Sequence, residues 1–157
     1  MPINRGKQFE KQLKEDWIKS IPDSSIDRIC DSMSGYYSIS NISDFIAYKY
    51  PNIYYLEAKS IEGNTFPLVN LTQYDKLVEK LGIPGVRVGV VIWFRSHDSI
   101  LYVPISTIKK MKEDDKKSVN INTIDKDGYR YINIPTEVKR ILPTGNYNVL
   151  LSMKDGD

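Results

Sequence analysis

The residues "YLEAKSIEG" at 55–63 set Glu57 and Lys59 two positions apart inside an apolar, aromatic run. In a strand, side chains alternate between faces, so these opposite charges point the same way. Ile53 and Tyr55 share that face, which argues against a purely solvated edge. Asp44 precedes them across the segment "YPN", whose Pro51 and Asn52 favour a bend. If the hairpin turns on Tyr50 and Pro51, Asp44 stands opposite Glu57; if it turns on Pro51 and Asn52, Asp44 stands opposite Lys59. Opposite residues of an antiparallel pair share a face, so both registers gather the three groups. A turn centred on Pro51 alone reverses the faces and separates them.

Two carboxylates and a lysine on one face suit hydrolysis of a phosphodiester. Hard oxygen ligands hold Mg²⁺, which keeps several waters and takes up a phosphate oxygen. A water on such a metal becomes a hydroxide source near neutral pH. Lysine, a compact cation, can orient that water or offset charge developing on phosphorus. The competing reading is a structural ion pair between Lys59 and a carboxylate. A Glu-x-Lys triplet alone is a weak signal, and the chain has a second, Glu137-Val138-Lys139. Glu137 follows "IPT", where the sequence predicts a first helical turn, and there a carboxylate simply complements the helix dipole.

These residues need elements to position them. Phe9, Leu13 and Trp17 recur at helical spacing, widened by Ile18 and Ile21, which predicts an amphipathic helix capped by Asn4 and stopped before Pro22. A short strand is expected near Ile26–Cys30, and two strands in "DFIAYKYPNIYYLEAKSI". Leu71, Tyr74, Leu77, Val78 and Leu81 predict a helix ending at Gly82. "VRVGVVIWF" reads as a strand buried on both faces, joined through "RSHDS" to the strand "ILYVPI". "ISTIKKMKEDDKK" reads as a short charged helix, "PTEVKRIL" as another, and "SVNINTIDKDGYRYINIP" and "NYNVLLSM" as further strands. The pattern is a mixed α/β layer fold with helices packed on a central sheet.

The 157 residues are expected to form one domain, 1–157, large enough to bury a real core. Net charge is only +2, so no global basic field announces a nucleic-acid partner, and any such contact must come from a local patch. Eleven tyrosines against four phenylalanines fit half-buried strands and wet interfaces. A single cysteine, Cys30, excludes an internal disulfide framework and a cysteine-based zinc site, and suits a reduced, cytoplasmic setting. A single histidine, His97, excludes His-rich metal sites; it reads as a turn residue. The charged N-terminus offers no signal peptide, and no run is long enough to span a membrane.

Asp44, twelve intervening residues and then Glu57-Ala58-Lys59 resemble the signature of the PD-(D/E)xK nuclease superfamily. More narrowly, "YYLEAKSIEGNTFPLVNLTQYDKL" resembles the RecU-type Holliday junction resolvases, with Thr65-Phe66-Pro67-Leu68 after the strand and then a helix bearing a glutamine. "NRGKQFE" is similar to their first-helix motif, and "GVVIWF", "LYVPISTI" and "INIPTEVKRILPTGNYNVLLSM" keep their order. The resemblance implies a single-domain restriction-endonuclease-like core with a central mixed β-sheet flanked by helices. It implies that Asp44, Glu57 and the Ala58 carbonyl hold Mg²⁺, with Mn²⁺ able to substitute, and that Lys59 is the catalytic lysine. Glu10 matches the first-helix acid that completes the metal site; an ion pair with Lys14 is the plain alternative. Gln73 matches the helix glutamine, and a capping box with Asn70 is its alternative. Arg5 and Lys7 would meet DNA phosphates.

The implied activity is a structure-selective endonuclease, a homodimer acting on four-way DNA junctions, with no membrane partner. The same core on flaps, mismatches or duplex, or a non-catalytic DNA-binding protein, are the alternatives. Two features depart from the resemblance. Only 22 residues separate Ile21 from Asp44, with Arg28 the sole basic one, where the family usually inserts a basic stalk. Thr72 stands where a histidine is expected before the glutamine.

Overall fold

A computed structural model describes residues 2–29, 41–139 and 141–154. Helix α1 (Arg5–Ser20) starts where expected, with the Asn4 side chain accepting from the Lys7 N–H at 3.1 Å. Phe9, Leu13 and Trp17 are buried along one stripe. Ile18 departs from the expectation. It follows Trp17 by about 100° of helical rotation and lies 54% exposed, whereas Ile21, just past the helix end, is buried.

The central sheet has the order β1-β2-β3-β5-β6-β8. Its strands are β1 (Ser25–Arg28), β2 (Phe45–Lys49), β3 (Asn52–Ile61), β5 (Val86–Phe94), β6 (Ser99–Pro104) and β8 (Ile132–Ile134). β3 and β5 are parallel and every other neighbouring pair is antiparallel, so the sheet is mixed. The parallel step requires a crossover. It carries β4 (Thr65–Pro67), a 3₁₀ turn at Leu68–Asn70 and the short helix α2 (Tyr74–Val78). β4 pairs outside the sheet with β7 (Ser118–Asn120).

Two cores lie on the two faces. Tyr54, Leu56, Ala58, Val91 and Trp93 pack with Phe9, Leu13 and Trp17 of α1. Val88, Val90, Ile92 and Phe94 pack on the other face with Leu77 of α2 and Ile105, Ile108 and Met111 of α3 (Ile105–Glu113). β5 is thus buried on both faces, as its unbroken apolar run predicts. The mixed α/β arrangement, a central sheet flanked by helices, is the one expected.

Three local expectations are corrected. The helix predicted over 71–81 shrinks to Tyr74–Val78, because Leu71 takes a non-helical conformation and turns its side chain into the core. "PTEVKRIL" is not helical: β9 (Thr136–Lys139) and β10 (Leu142–Gly145) form a hairpin. Pro143 disfavours a helix interior, and Thr136 and Val138 suit a strand. Glu137 therefore sits opposite Thr144 in that hairpin, exposed, with no helix dipole to complement. "NYNVLLSM" is a 3₁₀ helix, Tyr147–Ser152, rather than a strand, and it buries Tyr147 and Leu150 at i, i+3. The strand expected near 26–30 is β1; Cys30 lies outside the described residues. No helix among the described residues is long and apolar enough to cross a membrane.

Candidate active site

The β2–β3 ladder runs from Lys49 opposite Asn52 to Phe45 opposite Leu56. Tyr50 and Pro51 are therefore the central pair of the turn, and one further step puts Asp44 beside Glu57, one of the two registers that gather the charges. Pairing with β2 ends at Leu56, so the next N–H on that edge, at Ala58, needs another acceptor. Asp44 supplies it: its Oδ2 accepts from the Ala58 N–H at 2.9 Å. One hydrogen bond thus closes the ladder and holds the Asp44 carboxylate against the strand that carries Glu57 and Lys59.

Glu57 is 2% exposed. Its Oε1 lies 3.5 Å from Lys59 Nζ, while its buried Oε2 has no hydrogen-bond partner. Burial pushes the Glu57 carboxyl up to about 8; the neighbouring Asp44 charge and hydrogen bond add to the rise, and Lys59 opposes it. Lys59 is partly exposed, so its ammonium can meet both Glu57 and something outside the protein. These three side chains gather on the sheet face opposite α1.

The structure does not bring Glu10 to this cluster, a correction to the expected site. Glu10 Oε2 accepts from Arg28 Nε at 2.9 Å rather than pairing with Lys14. Arg28 stands opposite Phe45, whose ring lies in the α1-side core, so Arg28 and Glu10 belong to the other face of the sheet. Among the described residues, no three His, Cys, Asp or Glu side chains gather as a metal-holding group.

Gln73 begins α2 through its backbone alone, and its side-chain Oε1 accepts from Thr72 Oγ1 at 3.1 Å. Asn70 lies in the preceding 3₁₀ turn, so the capping box is not formed. Arg5 donates to Gln8 Oε1 at 3.0 Å and lines a cleft of ≈ 280 Å³ with Glu62, Trp93, Arg95, Ser96 and Ile141. Lys7 is exposed and lines a second cleft with Lys11, Lys14 and Arg28. The cations Arg28 and Arg95 are the ones sequence reasoning passed over. Arg95 follows an apolar strand in "FRSHDS", where the only legible signal is a turn.

The family model described as Recombination protein U matches residues 16–143, a span that holds Asp44, Glu57, Lys59 and Gln73 and begins after Arg5, Lys7 and Glu10. No curated protein matches the sequence. Among solved structures, this chain resembles Hjc, a Holliday junction resolvase from the archaeal hyperthermophile Archaeoglobus fulgidus. The TM-score is 0.55 at 14% identity, over 74% of this chain and 89% of that one, a likeness of fold.

Proposed function

We propose, from the premise that this chain belongs to the Recombination protein U family, that it is an endodeoxyribonuclease. It resolves four-way (Holliday) junctions by paired, symmetric phosphodiester hydrolysis with a divalent metal, Mg²⁺ first and Mn²⁺ as substitute. The carrying observation is the Asp44–Glu57–Lys59 cluster with its buried, unpartnered Glu57 Oε2. A carboxylate taken out of water with a second carboxylate beside it and only one lysine facing it is short of positive charge. A small, hard dication fits that deficit, and two carboxylates with several retained waters is an ordinary Mg²⁺ arrangement.

Asp44, Glu57 and the Ala58 carbonyl would hold the ion. When bound, it supplies a Lewis acid for the phosphoryl oxygen and acidifies a coordinated water. Lys59, anchored by Glu57 and open to solvent on its other side, sets a fixed cation against the phosphate and steadies the charge that builds there. Gln73, at the start of α2, would orient water or substrate once freed from Thr72. Arg5 and Lys7 would bind backbone phosphates. A homodimer supplies two sites related by a two-fold axis, which matches two symmetric cuts. The unit is a single domain working in the cytoplasm.

One observation favours a second target. The stretch from Pro22 to Ser43 holds a single basic residue, Arg28, which leaves little there to grip a junction centre and suits flap, mismatch or duplex cleavage by the same core. A cleavage assay separates the readings, with labelled four-way junction, flap, duplex and single strand offered with Mg²⁺ or Mn²⁺. Paired symmetric nicks on the junction alone, absent in Asp44→Asn and Lys59→Ala, are expected. Equal cutting of every substrate would retain the nuclease and remove the junction preference; no cutting with either metal would overturn both.

A further inference from the structure

At the end of the parallel β3–β5 pair, on the face opposite Glu57 and Lys59, the molecule leaves several polar groups without partners. Ser60 and Trp93 are Cα partners in that pair, and their side chains share the α1 face. Ser60 Oγ, Trp93 Nε1 and Arg95 Nε are all buried and all lack a hydrogen-bond partner. Trp93 is itself only 2% exposed. A buried N–H left unpaired is costly, so such a group in a native fold calls for an acceptor. The cleft of ≈ 280 Å³ lined by Trp93 carries Arg5 and Arg95, together with Ser96 and the start of α1. Two guanidinium groups beside a buried, unpartnered indole N–H make an oxyanion site.

The one carboxylate there is Glu62, 3.8 Å from Arg95 Nη2 and 88% exposed. At that distance and exposure the pair is loose, and a phosphate can displace it. We infer that this cleft binds a backbone phosphate of substrate DNA, distinct from the phosphate that is cut. Trp93 and Arg95 supply N–H donors and Arg5 a second cation. Since Ser60 and Trp93 directly follow Lys59 and Ile92 in the parallel pair, a strand held here runs past the end of β3 toward the catalytic face. The inference rests on DNA being the substrate, as proposed above.

The test uses the full chain carrying Asp44→Asn, so that DNA is not consumed. The chain has two tryptophans, and Trp17, fully buried against α1's own core, is the internal reference. Indole ¹H–¹⁵N resonances are followed on adding inorganic phosphate and, separately, a four-way junction. The Trp93 resonance is expected to move with both while Trp17 stays. Arg95→Gln should remove the Trp93 response, weaken junction binding about tenfold, and lower the salt slope by about 1. Arg95→Lys, which keeps the charge but not the fork, should retain the salt slope and lose most of the indole response. Glu62→Gln should tighten binding.

A response to phosphate but not to the junction would mean an adventitious ion only, and would overturn the inference. So would an unmoved Trp93 in a junction-bound protein, or an unchanged response in Arg95→Gln. Cleavage by the wild-type chain with Trp93 unmoved would sink the cleft and keep the nuclease. A Trp93 response in a chain that cuts nothing would do the reverse.

Discussion

Glu57 carries a desolvation penalty that Lys59, at 3.5 Å, only partly offsets, and its carboxyl is raised from 4.5 to about 8. A carboxyl whose folded value lies above its unfolded one contributes stability fully below the unfolded pKa and loses it as pH rises through the folded one. With metal chelated, Tm should therefore fall between about pH 4.5 and 8, a window set by the two values of Glu57. Glu57→Gln, neutral throughout, should flatten that fall; thermal scans across pH with chelator check it, and an unchanged slope would mean another group governs. Addition of Mg²⁺ should raise Tm more at pH 8 than at pH 6, since the ion requires the deprotonated form. Asp44→Asn makes the complementary case. It removes the like charge beside Glu57, so the chelated protein should be as stable as wild type or more so, while the Mg²⁺-induced rise in Tm disappears. A structural ion pair with no metal role predicts no Mg²⁺ response in either protein. The cluster was legible because strand alternation and one turn decide it. Glu10 was not, because a sequence shows a residue's place on a helix but not which face of the sheet that helix covers.

At the scale of elements, the legible parts are those where periodicity is long. α1 shows three turns of one apolar stripe, and β5 shows nine residues with no polar face at its centre. The β9–β10 hairpin was misread because Val138, Ile141 and Leu142 also fit helical spacing, and its fate depends on a distant partner. That partner is Asp16, buried on α1, whose Oδ2 accepts from the Gly145 N–H at 2.8 Å while Oδ1 accepts from Gln12 at 2.8 Å. Burial raises the Asp16 carboxyl, so its charge is tolerated here rather than favoured. Asp16→Ala strands the Gly145 N–H and should destabilise by about 2–3 kcal/mol in urea unfolding. Asp16→Asn keeps an acceptor without the charge and should stay within about 1 kcal/mol of wild type. Equal losses in both would show that charge rather than acceptance fixes the hairpin. Gly89 gives a second element-level constraint. A Cβ there would fall inside contact with the Tyr102 ring of β6, across the most buried strand pair. Gly89→Ala should therefore cost about 1–3 kcal/mol by overpacking, with loss seen in the same urea midpoint.

For the whole molecule, the sheet separates two tasks. Asp44, Glu57 and Lys59 occupy one face, while the basic clefts beside α1 occupy the other or its rim. DNA that satisfies both must pass around the end of the β3–β5 pair rather than lie flat on one surface. With a net charge of only +2, that local route rather than a global field must hold the substrate, so binding should weaken steeply with salt. The proposed homodimer is tested at this scale, because each chain brings one Asp44–Glu57–Lys59 cluster to the junction. If the protein works as the proposed homodimer, mixing wild type with an excess of Asp44→Asn and refolding together yields mixed dimers that hold one competent site. On a plasmid bearing a cruciform, these should yield nicked circles where wild type alone yields linear product. Gel separation of the two forms reads the outcome. Linear product undiminished by the mixture would mean that one chain makes both cuts in turn, and the two-fold argument for the dimer would fall with it.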